Sequence, residues 1–171
     1  MMYAKKYPEF MTGTCLEWKP LIESWRHKEI IIDSMRFLTE EGRVWIYGFV
    51  LMDNHFHLIW QMQGDYDRED VQRDFLKFTG QNILRNFRKN DSLWMTELRV
   101  QTADREYQFW ERNSLGIPLT DERFLVQKLN YIHNNPVKAG LCQFSEEYKY
   151  SSAGFYLRKD NSWGFLTHYN G

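Results

Sequence analysis

Apolar residues recur along this chain with two periods, and the switches between them outline a fold. Residues 10–16 are rich in threonine and apolar side chains and predict a first strand. After Pro20 the spacing becomes helical over residues 21–39, where Ile31, Met35 and Leu38 fall at i, i+4 and i+7 with Trp25 and Ile32 nearby. Glu41-Gly42 ends that helix. Residues 43–51 return to branched and aromatic side chains. Asp53-Asn54 is a turn signal, and residues 55–61 read as the second arm of a tight hairpin. A loop over 64–68 leads to a second helix, 69–89, expected to bury Val71, Phe75, Phe78, Ile83 and Phe87. Residues 91–105 carry no clear pattern. A strand over 106–112, a turn at Gly116 and Pro118, and a third long helix over 121–134 follow, with Thr120 as its candidate cap. Pro136 should break or restart that helix. From Ser145 onward the chain is aromatic and turn-rich.

The resulting order is β, α, β, β, α, β, α. An α+β fold satisfies it: a ferredoxin-like antiparallel sheet with helices packed on one face. The chain has 171 residues without an internal repeat or a Pro/Gly-rich linker, so a single domain over 1–171 is expected.

Composition changes this picture in two places. Aromatic residues make up 17% of the chain, so rings must fill a core, stack on something, or both. Basic residues number 22 against 23 acidic ones, so any surface for a polyanion must be a local patch. Cys15 and Cys142 lie far apart in no metal-ligand spacing, and the first residues lack an apolar signal-peptide core, so a reduced, cytoplasmic protein is expected. The run 44–52 is too short to cross a bilayer and fits a buried strand, so no membrane partner is expected.

Two segments carry candidate chemistry. In Asn54-His55-Phe56-His57-Leu58, a strand would point His55 and His57 to one face and Phe56 to the other. Two neutral imidazoles side by side make half a site for a divalent cation; a plain polar strand face is the other reading. On the third helix, Leu125, Leu129 and Ile132 mark the core stripe. Tyr131 and Asn135 share a flank with Phe124 and Lys128. The Asn135 carboxamide could complete a metal site, and the Tyr131 phenol could attack a polarised electrophile; a core-edge tyrosine is the alternative. His133 faces elsewhere and reads as structural or as a surface residue.

The stretch Phe49-Val50-Leu51-Met52-Asp53-Asn54-His55-Phe56-His57-Leu58-Ile59 resembles the HUH motif of single-tyrosine transposases of bacterial insertion sequences. Tyr131-Ile132-His133-Asn134-Asn135-Pro136-Val137-Lys138-Ala139-Gly140-Leu141 resembles the nucleophile helix of their REP-associated relatives. Tyr148-Lys149-Tyr150-Ser151-Ser152-Ala153 and Phe10-Met11-Thr12-Gly13-Thr14-Cys15 are similar to flanking segments there. The resemblance implies a ferredoxin-like core with a C-terminal nucleophile helix, and a Mg²⁺ or Mn²⁺ ion held by His55, His57 and Asn135. It implies that Tyr131 attacks single-stranded, hairpin-containing DNA, leaving a 5′-phosphotyrosine and a free 3′-OH. That family commonly has proline where this chain has Asp53, a carboxylate with no evident role.

Arg73, Lys77, Gln81, Arg85 and Arg88, with Lys89 beside them, form a basic stripe along the second helix suited to DNA phosphates, or an ordinary solvated face. Trp60, Trp94, Tyr107 and Trp110 could stack unpaired bases or fill the core. Two other activities share the fold and motifs: a domesticated protein that binds hairpin DNA without cutting, and a phosphohydrolase that uses water. Monomer and homodimer both remain open.

Overall fold

The computed structural model describes residues 6–90, 92–112, 114 and 116–171. Its elements are β1 (Glu9–Thr14), α1 (Trp25–Glu40), β2 (Val44–Leu51), β3 (His55–Met62), α2 (Arg68–Lys89), α3 (Trp94–Glu97), β4 (Arg99–Thr102), β5 (Arg105–Tyr107), β6 (Gly116–Pro118), α4 (Glu122–Lys138) and α5 (Ala153–Arg158). The main sheet runs β2-β3-β1-β6 with every pairing antiparallel, the ferredoxin-like order. Strands β4 and β5 form a separate two-stranded ribbon across the expected start of strand 106–112 and the unpatterned stretch before it.

Alternation along β3 decides what lies on each side. Phe56, Leu58, Trp60 and Met62 point into the larger core, where Ile31, Ile32 and Met35 of α1 meet Val71, Phe75 and Ile83 of α2. The odd positions face the other way. There Ile59 packs with Phe10, Val50 and the Leu125, Leu129 and Ile132 stripe of α4. The expected pair of helices thus shares one face, and α4 covers the opposite one. A bulge at Ile46–Gly48 slips the β2 register and turns Tyr47 toward α4, with its hydroxyl donating to Gln61 Oε1 over 2.7 Å. A Cβ on Gly48 would lie 2.5 Å from Leu129 Cδ1, so the glycine permits the helix to approach this closely.

Several expectations change. Helix α1 begins at Trp25, not residue 21, because Ser24 accepts a hydrogen bond from the Arg26 amide and so caps it. Leu21 and Ile22 are fully buried from a loop instead. Phe78 lies on the outer face of α2 and is exposed, while the other four expected residues are buried. Gly116–Pro118 is a short edge strand on β1 rather than a turn; an edge tolerates a proline because one side needs no amide donor. The cap of α4 is Asp121, which accepts from the Phe124 amide, not Thr120. Nor does Pro136 break α4. It sits in the last turn, where its carbonyl accepts from the Leu141 amide and the Gly140 amide reaches Val137 O, a Schellman closure around left-handed Gly140.

The segment after Ser145 seals the sheet. Ser151 bridges Val50, the Leu51 amide donates to Tyr150 O, and the Ser152 amide to Phe49 O, so the open edge of β2 is covered. No helix among the described residues is long and apolar enough to cross a membrane.

Candidate active site

The site is assembled on the α4 face of the sheet. His55 opens β3 and His57 follows two residues later, so their rings lie on one side with centroids 5.0 Å apart. Strand β1 supplies the neighbours. Thr12 is the register partner of His57, and its Oγ1 lies 2.8 Å from His57 Nδ1. Phe10, two residues earlier on the same face, stacks on His57 at 5.1 Å. Across the gap, α4 places the Tyr131 ring 5.5 Å from His57, edge-on. Asn135, one turn further, hydrogen-bonds the His55 ring through its side chain. His55 Nδ1 also lies 2.7 Å from Asn54 Oδ1. The two motifs far apart in sequence therefore converge: His55, His57, Tyr131 and Asn135 are neighbours.

Burial sets the protonation of the histidines. His57 is only 6% exposed, and burial, then repulsion from His55 and Lys128, depresses its pKa to about 3. Burial also lowers His55, with the Asn135 hydrogen bond opposing. Both rings are thus neutral near pH 7, with lone pairs available. Tyr131 is 44% exposed, so its phenol is open to a large substrate. Lys128 Nζ sits over the Tyr131 ring at 5.6 Å, and Lys138 Nζ sits at 5.9 Å. Among the described residues no group of three His, Cys, Asp or Glu side chains is placed to hold a metal ion, so His55 and His57 have no third such side chain beside them.

Residues without an assigned role at the sequence level support these four. Thr12 and Phe10 could have been found from the antiparallel register, which sequence periodicity leaves unspecified. Asp53 pairs with buried Lys28 at 2.8 Å, tying α1 to the β2–β3 turn that carries His55. His133 is structural: buried, with Nε2 2.8 Å from Ser152 Oγ, which in turn accepts from the Phe49 amide. The same burial depresses the His133 pKa to about 4.

Other expected residues lie elsewhere. Arg73, Lys77, Gln81, Arg85, Arg88 and Lys89 are all exposed on α2, but α2 covers the sheet face opposite the histidines. Arg73 is already paired with Asp70 and Asp74. Trp60 and Trp110 are core residues, whereas Trp94 and Tyr107 are half-buried. Cys15 is buried, which pushes its thiol up to about 12 and makes it a poor nucleophile.

No family model matches the chain. A candidate REP-associated tyrosine transposase of Haemophilus influenzae is 29% identical over 106 residues, covering 60% of this chain and 54% of that protein. The chain thus spans about half the length of the curated relative it matches. Among solved structures, a REP-associated tyrosine transposase bound to a REP hairpin superposes with a TM-score of 0.67 at 15% identity, covering 98% of this chain and 86% of that one. A candidate transposase from Deinococcus radiodurans R1 gives a TM-score of 0.48 at 13% identity, over 78% of this chain and 94% of that one. Over 106 residues of sequence this chain is similar to a REP-associated tyrosine transposase, and it shares the fold of a solved one.

Proposed function

We propose that the protein cleaves and rejoins single-stranded, hairpin-bearing DNA through a 5′-phosphotyrosine intermediate on Tyr131. The observation that carries this reading is the convergence of an exposed tyrosine with two neutral histidines and a carboxamide at one surface.

The donor set suits a divalent cation such as Mg²⁺ or Mn²⁺. In the tautomer whose Nδ1–H donates to Thr12 Oγ1, His57 keeps a bare lone pair on Nε2. Asn54 fixes His55 in the same way. The carboxamide oxygen of Asn135 would be the third donor. Such an ion, when bound, polarises a phosphodiester and offsets charge that develops on its oxygens. Two imidazoles and one amide leave open positions for those oxygens.

The protein's own groups do the rest. Helix α4, anchored through His133 and Ser152 to β2, holds the phenol within reach of a phosphate lying over the histidines. Attack forms a bond from the Tyr131 oxygen to phosphorus and breaks the bond from phosphorus to the 3′ oxygen. The phenol proton ends, through solvent, on that 3′ oxygen. Lys128 and Lys138 flank the ring and would place positive charge beside the phosphate under attack. The ester energy stays in the intermediate, so a returning 3′-OH can reseal the strand without a nucleotide cofactor. The exposed stripe Arg73, Lys77, Gln81, Arg85, Arg88 and Lys89 would contact phosphates of DNA beyond the cut, on the other side of the molecule.

A labelled hairpin oligonucleotide with Mn²⁺ tests the reading. The parent should give a covalent protein–DNA adduct stable to denaturation, and Tyr131→Phe should give none. Equal cleavage by both would overturn the tyrosine mechanism and favour hydrolysis by water. Tight hairpin binding by the parent without cleavage would favour a non-cutting DNA-binding protein.

A further inference from the structure

Trp18 is a large ring left 58% exposed beside the candidate site, in a backbone that takes energy to hold. The turn after β1 puts Glu17 at φ 53° and Trp18 at φ 58°, both left-handed. Among the described residues only Lys159 shares that conformation without being glycine. Left-handed backbone is unfavourable for residues with a Cβ and persists where surrounding contacts impose it. Those contacts are present. The Glu17 amide donates to Glu111 Oε1 over 2.6 Å, and the Trp18 amide to Cys15 O over 2.9 Å. Buried Cys15 and Leu16 pin the start of the turn. The strain brings no burial of the indole. What it does bring is position, with the ring 5.5 Å from His55 and edge-on to it.

Four rings follow one another across the site. Trp18 neighbours His55, His55 neighbours His57, and His57 neighbours Tyr131, at 5.5, 5.0 and 5.5 Å. The phenol thus neighbours the His57 end of the pair and the indole the His55 end. In-line displacement at phosphorus puts the attacking and leaving oxygens on opposite sides. With Tyr131 attacking from one end, the 3′ oxygen departs toward the other. The nucleotide that keeps this oxygen is the one immediately 5′ of the cut.

Resting on the strand-transfer reading above, we infer that Trp18 is the stacking platform for the base immediately 5′ of the cleaved phosphate. It would hold the released 3′-OH in place for rejoining. Stacking on an aromatic face is largely indifferent to base identity, so the platform would position the strand rather than read it. Trp18 is a positioning residue here, since it touches the base and not the reacting atoms.

The test is a binding cycle in the Tyr131→Phe background, where the strand stays uncut. The probe is a fluorescent hairpin oligonucleotide that the parent cleaves, with its cut site mapped. Three probes are compared: intact, lacking the base 5′ of the cut, and lacking the base 3′ of it. Trp18→Ala should weaken binding of the intact probe roughly tenfold or more, the size expected for one stacked base. The probe without the 5′ base should bind the parent background equally weakly, and Trp18→Ala should weaken it no further. The probe without the 3′ base should still lose affinity on substitution. Trp18→Phe should restore most of the binding. Losses that add independently of the 5′ base, or unchanged binding by Trp18→Ala, would overturn the platform while leaving the tyrosine mechanism standing. If the parent cleaves no hairpin probe, both readings fall. Equal melting temperatures check that the exposed substitution leaves the fold intact.

Discussion

The two faces of the central sheet are built from alternate residues of the same strands, yet they follow different rules. On the α1–α2 side, β3 offers Phe56, Leu58, Trp60 and Met62, all buried in a continuous apolar core. On the α4 side it offers His55, His57, Ile59 and Gln61, so only part of the face is apolar. The first face has no polar work and is free to maximise burial. The second gives up packing near its end to keep two uncharged imidazoles, a phenol and an amide together. Stability should therefore concentrate in one face and activity in the other.

Adjacent residues on β3 offer the sharpest way to break that contrast. His55→Ala should lower cleavage by roughly a hundredfold or more, since it removes a proposed ligand. It should change stability by about 1 kcal/mol or less, because the ring is half-buried and at a strand end. Phe56→Ala, one residue on, should cost about 3–5 kcal/mol by opening a cavity against Phe75 and Trp110. Denaturant unfolding beside a single-turnover cleavage assay reads both. If His55→Ala unfolds the protein as severely as Phe56→Ala, the division between faces is wrong.

Two glycines probe the same division through shape. A Cβ on Gly13 would meet Phe56 Cε1 at 2.1 Å, inside the apolar core. On Gly48 it would meet Leu129 Cδ1 at 2.5 Å and press on α4. Gly13→Ala should cost about 1–3 kcal/mol or more, because a buried ring has little room to move. Gly48→Ala should cost less, since a leucine tip can rotate, but should slow cleavage more by shifting the helix that carries Tyr131. Chemical denaturation and cleavage rates should rank the two variants in opposite orders.

Acid should unsettle the mixed face selectively. His57 and His133 have folded pKa values of about 3 and about 4, against an ordinary value of 6.5. Both are neutral when folded and gain a proton when unfolded below pH 6.5. Their contribution is thus fully present above that pH and is lost as pH falls toward 4. Each can contribute a slope of up to about 1.4 kcal/mol per pH unit. Urea unfolding between pH 7 and 5, without added metal, should show this loss. His133→Gln should flatten it relative to the parent, and an unchanged slope would remove that histidine from the account.

The same division explains what could be read in advance. Periodicity exposed β1, β2 and β3, both long core helices and the α4 stripe, because burial on one side imposes a regular spacing; it missed the short β4 and β6, and the strand expected over 106–112 stops at Tyr107. It misplaced Phe78, since an aromatic on an outer helix face looks like core until the neighbours are known. Pro136 misled because its cost depends on distance from the helix end, and the Schellman closure that absorbs it lies in the following residues. His55, His57, Tyr131 and Asn135 were legible as two motifs, but their meeting depends on α4 crossing the opposite face of the sheet. Thr12, Phe10 and Trp18 stayed silent because strand register and turn geometry carry no periodic signal.

The smallest expected effect concerns the basic stripe of α2, which lies across the sheet from the histidines. Lys77 and Arg85 are its best probes, since neither forms a salt bridge among the described residues, unlike Arg73. If the stripe holds phosphates of DNA leading away from the cut, Lys77→Ala with Arg85→Ala should weaken hairpin binding only modestly at low salt. It should also reduce the slope of log affinity against log salt by about 1 for each contact removed. Cleavage of saturating substrate should not change, because α2 packs on the sheet face opposite the histidines. Anisotropy titrations across a salt series, paired with single-turnover rates, separate the two effects. An unaltered salt slope would leave the stripe as a solvated helix face and return the whole DNA surface to the α4 side.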